Sequence, residues 1–266
     1  MKLVNYYEDT KSLHIGTMDN RAYYIPYPPD RKRNPVSGDL SERQIVLNGS
    51  WEFSYFENLY QVPEDFFQPD FDFSSFKKIP VPSCWQTQGY DRHQYTNVEY
   101  PFPFDPPYVP TNNPCGAYIR RFTITKVQQG YKQYLNFEGV DSCFYVWVNG
   151  DFVGYSQVSH STSEFDISPF TVEGDNVLAV LVLKWCDGSY LEDQDKFRMS
   201  GIFRDVYILL RPLQHIRDYF VKTIVDDTCK RAEVRVDLEF LDQWLPVNGV
   251  LEDPSGNEVG IFLSGR

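Results

Sequence analysis

Long hydrophobic stretches are missing from this chain. Its most apolar run, Val177 to Leu183, is seven residues long, whereas a helix needs about 20 apolar residues to cross a membrane. The opening residues, MKLVNYYEDT, contain no apolar core of a signal peptide. The sequence also shows neither internal repeats nor the periodicity of an amphipathic helix. These absences predict no membrane-spanning helix in this sequence and no membrane partner.

Cysteine, histidine and basic clusters are scarce as well. The four histidines are scattered, and the five cysteines are odd in number, far apart and without a CxxC pair: Cys84, Cys115, Cys143, Cys186 and Cys229. This pattern predicts free thiols in a reducing cytoplasm and no zinc site. The net charge is −12, and the one basic cluster spans residues 31–33. Because nucleic acids and anionic membranes are bound by clustered Lys and Arg, we expect neither as a partner.

Aromatic residues, by contrast, are abundant. The chain has 19 Tyr, 20 Phe and 5 Trp, more than a disordered protein would carry. Asn149-Gly150 predicts a hairpin turn, since both residues accept positive φ. Alternation and turn signals predict strands at Tyr118–Thr125, Lys132–Phe137, Cys143–Val148, Phe152–Gln157, Val177–Leu183 and Ile202–Leu210. The sequence therefore predicts an all-β protein containing a jelly-roll β-sandwich.

The predicted domain organisation has three parts. Residues 1–44 are rich in proline and predict an extended arm. Residues 45–212 form the jelly roll, which includes a long proline-rich loop at 83–118 of the kind that is usually functional. Residues 213–266 predict the first strands of an immunoglobulin-like β-sandwich, roughly half of such a domain. We therefore expect the chain to be cut short at its end.

A cluster of carboxylates follows the apolar run directly, as in a β-scaffold that presents a polar site at its rim. Asp193 and Asp195 could face the same way on an extended segment. Retaining glycoside hydrolysis needs two carboxyl groups about 5–5.5 Å apart. With Glu192 and Asp187 nearby, such acids more often form a salt-bridged or solvated loop. The residues alone leave both readings open and favour the second.

Other polar and aromatic side chains suggest structural roles. We expect Arg198 and Arg204 to act as partners of these acids rather than to contact a substrate. His93 and His160 are isolated in the sequence, and we assign neither of them a role as a ligand or a base. Core packing is favoured over sugar stacking for three tryptophans, Trp85, Trp147 and Trp185.

Three long motifs carry a resemblance to a known family. They are WQTQGYDRHQYTNVEYPFPFDPPYVPTNNPCGAY at 85–118, FEGVDSCFYVWVNGDFVGYSQVSHSTSEFDIS at 137–168 and WCDGSYLEDQDKFRMSGIFRDVYIL at 185–209. Together they resemble the N-terminal region of bacterial β-galactosidases of glycoside hydrolase family 2, closely from Leu47 to Leu210. The resemblance implies a non-catalytic, galactose-binding-like jelly roll and then an immunoglobulin-like domain. It places the two catalytic glutamates in a TIM barrel that this chain lacks.

The resemblance also implies which residues meet the sugar. Asn97 matches the asparagine that touches the galactosyl unit, and Asp195 matches the aspartate that contacts galactose and ligates a sodium ion. Val98 beside them would contact the sugar more weakly. An amide can donate to and accept from hydroxyls, and a carboxylate is a hard oxygen ligand. The magnesium ligands and the other sodium ligands lie in the barrel, so we expect this chain alone to bind neither ion tightly.

The resemblance implies that the chain is the non-catalytic part of an enzyme that hydrolyses terminal β-D-galactosides, such as lactose, with retention of configuration. The complete enzyme is expected to be cytoplasmic and homo-oligomeric. The chain by itself is expected to be inactive. Three alternatives remain. One is a freestanding carbohydrate-binding module, and the second is a scaffold or complementation chain that docks to a barrel-containing partner. The third, a family-2 relative acting on glucuronides or mannosides, is less favoured by the YTNV and YLEDQD segments.

Overall fold

A computed structural model of the protein describes residues 3–28, 41–97, 99–192 and 195–263. The chain divides into two compact units. Residues up to Asn20 and from Ile25 to Leu210 form the first unit, and Arg21–Tyr24 together with the residues from Arg211 onwards form the second. Two residues singled out from the sequence, Val98 and Asp193, lie outside the described residues.

The first unit consists of short strands joined by turns and one-turn helices. In chain order the strands β1–β15 are His14–Ile15, Gln44–Val46, Gly49–Phe56, Lys77–Val81, Gln94–Thr96, Cys115–Ile124, Lys132–Phe137, Val140–Asp141, Cys143–Val148, Asp151–Gln157, Ser163–Asp166, Gly174–Leu183, Lys196–Arg198, Gly201–Ile202 and Val206–Arg211. The 3-10 helices are Tyr6–Glu8, Leu59–Gln61, Trp85–Gln88, Gln128–Gly130 and Asp187–Tyr190. Among the described residues no helix could cross a membrane. The predicted all-β class is confirmed.

Two antiparallel sheets face each other in this unit. The larger sheet has the strand order β1-β10-β9-β12-β6-β3-β4, and the smaller sheet has the order β11-β7-β15-β2. Apolar side chains of both sheets meet in one buried cluster, which includes Trp51, Phe53, Phe137, Phe165 and Ile208. Since sheets bury their apolar faces against each other, this cluster is the core of the predicted sandwich.

The central strand β12 explains the uninterrupted apolar run of the sequence. Successive side chains of a strand point to opposite faces. Leu178, Val180 and Val182 enter the core between the sheets. Ala179 and Leu181 enter a second buried cluster on the outer face of the larger sheet. Both faces of β12 are therefore covered, and every position requires an apolar residue.

Two segments from outside the sheets cover that outer face. Tyr6 and Tyr7, from the predicted N-terminal arm, pack against the outer cluster. Phe66 and Phe67, from the loop after β3, are buried in the same cluster. The aromatic excess noted in the sequence is thus used to build two hydrophobic layers rather than one.

The hairpin between β9 and β10 turns at the predicted Asn-Gly pair. Asn149 and Gly150 adopt φ angles of 53° and 90°. The Asn149 side chain donates from Nδ2 to the Phe170 carbonyl (2.9 Å) and to Oδ1 of Asn176 (2.8 Å). Its Oδ1 accepts from the backbone N–H of Val177 at 2.9 Å. The turn is therefore tied to the neighbouring loop and to the start of the apolar part of β12.

One predicted strand is divided in the structure. The segment Ile202–Leu210 was expected to be continuous, but β14 ends at Ile202 and β15 begins at Val206. Asn48 explains the break: its Nδ2 donates to Asp205 Oδ1 (2.8 Å) and its Oδ1 accepts from the Val206 N–H (2.9 Å). A side chain from a distant part of the sequence thus bonds to the segment, which no local pattern reveals.

The second unit contains two β-hairpins. Strand β16 (Ile216–Val225) pairs with β17 (Ala232–Phe240), and β18 (Asn248–Glu252) pairs with β19 (Glu258–Leu263). Arg21–Tyr24 joins this unit, where the Ala22 N–H donates to Asp218 at 2.7 Å. Many apolar side chains of these hairpins are exposed, among them Phe220, Val221, Ile224, Val225, Val250 and Ile261.

Candidate functional site

The two residues that the resemblance assigns to galactose binding are brought together by a small ribbon. Strands β5 and β13 form an antiparallel pair in which Thr96 lies opposite Lys196 and Tyr95 opposite Phe197. Asn97 follows Thr96, and Asp195 precedes Lys196. Continuing the register by one residue places Asn97 opposite Asp195 at the end of the ribbon.

Because the strands of the ribbon are pleated, successive side chains point to opposite faces. Residues two apart in a strand share a face, so Tyr95 lies on the face of Asn97, and Phe197 lies on the face of Asp195. Since Tyr95 and Phe197 are paired, all four side chains share one face. Tyr95 and Phe197 are 55% and 56% exposed, and their ring centroids are 5.7 Å apart. This face therefore presents an amide, a carboxylate and two aromatic rings to solvent.

The hydrogen bonds on this face leave polar atoms available to bind a ligand. The Tyr95 hydroxyl donates to Oδ1 of Asp195, which fixes the direction of the carboxylate and raises the pKa of the tyrosine above its usual range. Among the described residues, Asp195 Oδ2 and the Asn97 amide make no hydrogen bond. A ligand can reach both without displacing a hydrogen bond to the described residues.

The opposite face of the ribbon turns towards Asp141. Lys196 Nζ lies 3.7 Å from Oδ2 of Asp141, whose side chain is 18% exposed. Burial raises the pKa of Asp141 to about 7, although Lys196 lowers it and Glu192 raises it further. The ribbon therefore rests on a carboxyl group that changes charge near neutral pH.

Asp141→Asn is expected to flatten the pH dependence of stability. A carboxyl whose pKa is higher in the folded state takes up its proton more readily there, so it lowers stability as the pH rises from about 4 to 7. From pH 5 to pH 8, the unfolding free energy of the variant should rise by about 2–3 kcal/mol relative to that of the parent. Urea unfolding at both pH values measures this gain. The exposed Asp151→Asn variant controls for the loss of one negative charge, and a difference between Asp141→Asn and the parent that does not change with pH would contradict the expectation.

The acids near the ribbon have structural partners. Both carboxylate oxygens of Glu192 accept hydrogen bonds from Ser159, from its N–H at 2.9 Å and from its hydroxyl. Arg198 donates to the Glu192 carbonyl at 3.1 Å. Arg204 donates to the backbone carbonyls of His160 (3.0 Å) and Glu138 (3.5 Å) rather than to a carboxylate. Among the described residues Arg204 therefore does not pair with a carboxylate, contrary to the expectation, because its guanidinium donates to these two carbonyls instead.

The tryptophans that were expected to pack in the core do so. Trp85, Trp147 and Trp185 are 0%, 1% and 7% exposed. The exposed rings beside the candidate residues belong instead to Tyr95 and Phe197, which the sequence analysis did not single out. The period of two in a strand could have found them, since each lies two positions from Asn97 or Asp195.

The described residues offer one carboxylate to the sodium site that the resemblance implies. Asp195 supplies one carboxylate with an oxygen that is free of hydrogen bonds to the described residues, and such oxygens suit a hard cation. Across 3–28, 41–97, 99–192 and 195–263, no three His, Cys, Asp or Glu side chains are grouped to hold a metal. The donor set therefore fits one ligand of an ion that needs several.

Comparison with known proteins identifies the family of this chain. The family model for the sugar binding domain of glycosyl hydrolases family 2 matches residues 45–212, and the chain belongs to this family. It is 48% identical to the β-galactosidase of Actinobacillus pleuropneumoniae over 256 residues, which cover 96% of this chain and 25% of that protein. It is 46% identical to the Staphylococcus xylosus β-galactosidase over 255 residues, with the same coverage of 96% and 25%. The chain thus spans about a quarter of the length of these relatives.

Two solved structures with the same fold are β-glucuronidases, whereas the relatives named above are β-galactosidases. An uncultured Clostridium β-glucuronidase superposes with a TM-score of 0.64 at 19% identity, over 91% of this chain and 40% of that one. The Bacteroides uniformis β-glucuronidase has a TM-score of 0.66 at 22% identity, over 83% and 25%. At such identities the likeness concerns the fold alone. The resemblance to the N-terminal region of family-2 β-galactosidases and the predicted jelly-roll sandwich are confirmed.

Proposed function

We propose that this chain is the non-catalytic sugar-binding part of a β-galactosidase that acts on terminal β-D-galactosides such as lactose. The ribbon carries this proposal, because it gathers Asn97 and Asp195, from segments about a hundred residues apart, on one exposed face. The β-galactosidases that share 46–48% of its residues over 96% of the chain support the choice of sugar.

The residues of this face suit a galactosyl unit. The Asn97 amide can donate to one hydroxyl and accept from another. Asp195 can accept a hydroxyl at Oδ2 while Tyr95 holds its Oδ1, and charge-assisted bonds of this kind are the stronger ones. The rings of Tyr95 and Phe197 offer an apolar surface to the C–H face of the sugar. Val98 would add a weaker contact beside Asn97.

Hydrolysis requires groups from elsewhere in the polypeptide. Retaining cleavage needs a nucleophilic carboxylate and an acid/base carboxyl about 5–5.5 Å apart, and Glu192, the described acid near Asp195, is bound to Ser159. The proposal places both catalytic glutamates, the magnesium ligands and the remaining sodium ligands in a TIM barrel. A bound sodium ion would supply positive charge for sugar oxygens, with Asp195 as one of its ligands.

The cell compartment and assembly belong to the same proposal. The five cysteines are free thiols, which suits a reducing cytoplasm, and the complete enzyme would be a homo-oligomer.

A graft tests the proposal. Residues 1–266 replace the corresponding quarter of the A. pleuropneumoniae β-galactosidase, and hydrolysis of nitrophenyl β-galactoside and nitrophenyl β-glucuronide is measured. The grafted enzyme is expected to hydrolyse the galactoside far faster than the glucuronide, and the isolated chain to hydrolyse neither. A folded, assembled graft without galactosidase activity would count against the proposal. Galactoside hydrolysis by the isolated chain, or tight galactose binding to its ribbon without the barrel, would favour a self-sufficient module instead.

A further inference from the structure

The β5–β13 ribbon has a lysine on its inner face, which is the face opposite to Asn97 and Asp195. Lys196 follows Asp195 in the chain and pairs with Thr96, which precedes Asn97. Since neighbouring residues of a strand point to opposite faces, the Lys196 side chain leaves the ribbon directly behind the two candidate sugar-binding residues. Its Nζ lies 3.7 Å from Asp141 Oδ2. This ion pair joins the sugar-binding end of the ribbon to strand β8.

Asp141 is anchored in the body of the first unit. Strand β8 pairs with β14, and Asp141 lies opposite Gly201 in this pair. The next residue, Ser142, donates from its N–H to the Leu183 carbonyl at the end of β12 (3.1 Å). The hydroxyls of Ser142 and Ser189 are hydrogen-bonded at 3.0 Å. The Asp141 carboxylate therefore offers the ribbon an attachment point that the surrounding strands hold in place.

The other end of the ribbon is attached separately. The Ser200 carbonyl, which follows β13, accepts from the Trp85 N–H at 2.8 Å, and the Asp91 carboxylate, which precedes β5, accepts from Lys184. Each strand of the ribbon has three residues and is thus about 10 Å long. These contacts hold the base of the ribbon, and the ion pair with Asp141 lies at the end that carries the candidate site.

Stability alone does not account for a carboxyl group at this position. The side chains of Asp141 and Lys196 are 18% and 26% exposed. Placing a carboxylate largely away from water costs free energy, and an ion pair of this kind offsets only part of that cost. Such a pair can still fix the position of one segment against another. At this place in the fold, the segment whose position it fixes is the ribbon.

We propose that Asp141 is a positioning residue of the galactoside site, which holds Lys196 and thereby sets where Asn97 and Asp195 stand against the sugar. Asp141 and Lys196 do not touch the substrate in this role, because they lie behind the ribbon. A displacement of about 1 Å in a binding group can lower the rate of a reaction by about 100-fold. Because it concerns the same site, this role rests on the proposed function.

Two single variants test this role in the grafted enzyme. Asp141→Asn and Lys196→Met each break the ion pair and nearly keep the size of the side chain. Each is expected to lower kcat/KM towards nitrophenyl β-galactoside by about tenfold and to raise the sodium concentration needed for half of full activation. A purely electrostatic effect on the sodium ion would have opposite signs, since one variant removes an anion and the other a cation. Equal losses in both variants therefore indicate position.

A double variant and a second ion pair provide the controls. Asp141→Asn/Lys196→Met should lose no more activity than either single variant, because all three remove the same contact. Lys132 and Asp166 form a pair of similar exposure, 32% and 24%, at 2.9 Å on the smaller sheet. Lys132→Met and Asp166→Asn should leave kcat/KM of the graft unchanged.

Stability separates positioning from support of the fold. Asp141→Asn removes a charge that is largely buried, so at pH 8 the variant chain is expected to unfold at the same urea concentration as the parent or at a higher one. Lower activity together with unchanged or greater stability is the expected result. A loss of stability that accompanies the loss of activity would overturn the proposal, because Asp141 would then act through the fold as a whole.

Nuclear magnetic resonance of the isolated, ¹⁵N-labelled chain tests the link without any enzymatic activity. The backbone N–H resonances of Asn97 and Asp195 are expected to shift or broaden in Asp141→Asn and to stay in place in Asp166→Asn. An inactive parent graft would count against the proposed function, and these resonances would then decide this inference. The inference would be overturned if they did not respond, or if an active Asp141→Asn graft kept the kcat/KM and sodium response of the parent.

Discussion

Asp195→Asn is expected to lower kcat/KM of the grafted enzyme towards nitrophenyl β-galactoside by about 100-fold. The substitution keeps the shape of the side chain but removes the negative charge. On the proposed role of Asp195, both the charge-assisted hydrogen bond to a sugar hydroxyl and the carboxylate ligand for sodium would then be lost. If Asp195, oriented by Tyr95, meets the substrate directly as proposed, the loss should fall on the reaction and not on the fold.

Sodium dependence distinguishes this role from a structural one. The parent graft should gain activity as sodium chloride replaces an equal ionic strength of choline chloride, and the Asp195→Asn graft should gain little. Tyr95→Phe, which removes only the hydrogen bond to Asp195, should cost about 5–10-fold. Asp151→Asn serves as the matched loss of an exposed carboxylate. An Asp195→Asn graft with parental kcat/KM and sodium response would show that this carboxylate does not contact the galactosyl unit.

Trp85→Ala should produce the largest loss of stability, about 3–5 kcal/mol of unfolding free energy. Its ring is fully buried and packs against Phe53 and Tyr55 at centroid distances of 6.3 and 5.9 Å. Its indole N–H donates to the Tyr118 hydroxyl, and its backbone N–H donates to the Ser200 carbonyl at 2.8 Å. One residue thus connects the core to both chain segments that carry the ribbon.

Urea unfolding of the isolated chain, followed by far-UV circular dichroism, measures the loss. Trp85→Phe keeps most of the apolar volume but removes the indole donor to the Tyr118 hydroxyl, and should cost about 1–2 kcal/mol. Trp244→Ala removes an indole that is 41% exposed and should cost less than about 1 kcal/mol. Equal losses for Trp85→Ala and Trp244→Ala would show that Trp85 does not anchor the first unit.

Local patterns predicted much of the sandwich. Strands β7 and β9 have the predicted bounds, Lys132–Phe137 and Cys143–Val148, because alternating apolar residues and clear turns delimit them. The strand predicted at Val177–Leu183 starts earlier, at Gly174. Its first residues, Gly174, Asp175 and Asn176, pair with β6 but carry no apolar side chain, so they give no periodic signal. The strand His14–Ile15 was not predicted, since two residues are too few to show a period.

The candidate site could not be predicted from the pattern of any single stretch of sequence. Asn97 and Asp195 were assigned by resemblance, and only the pairing of β5 with β13 shows that they share a face. Lys196 reads as an ordinary charged loop residue, and its contact with Asp141 follows from a fold that brings β8 beneath the ribbon. Long-range pairing of this kind is set by the packing of the whole unit, which sequence periodicity does not report.

The hydrogen bonds at the Asn149-Gly150 turn also bear on how the protein ages. In mobile chains, asparagine before glycine loses its amide when the glycine nitrogen attacks the side-chain carbonyl and closes a succinimide ring. In the folded protein, both ends of the Asn149 amide are held by Phe170, Asn176 and Val177, so the carbonyl cannot swing towards the Gly150 nitrogen. Isoaspartate at position 149 would therefore accumulate mainly in molecules that have unfolded, and its amount would record how long a preparation has spent outside the native state.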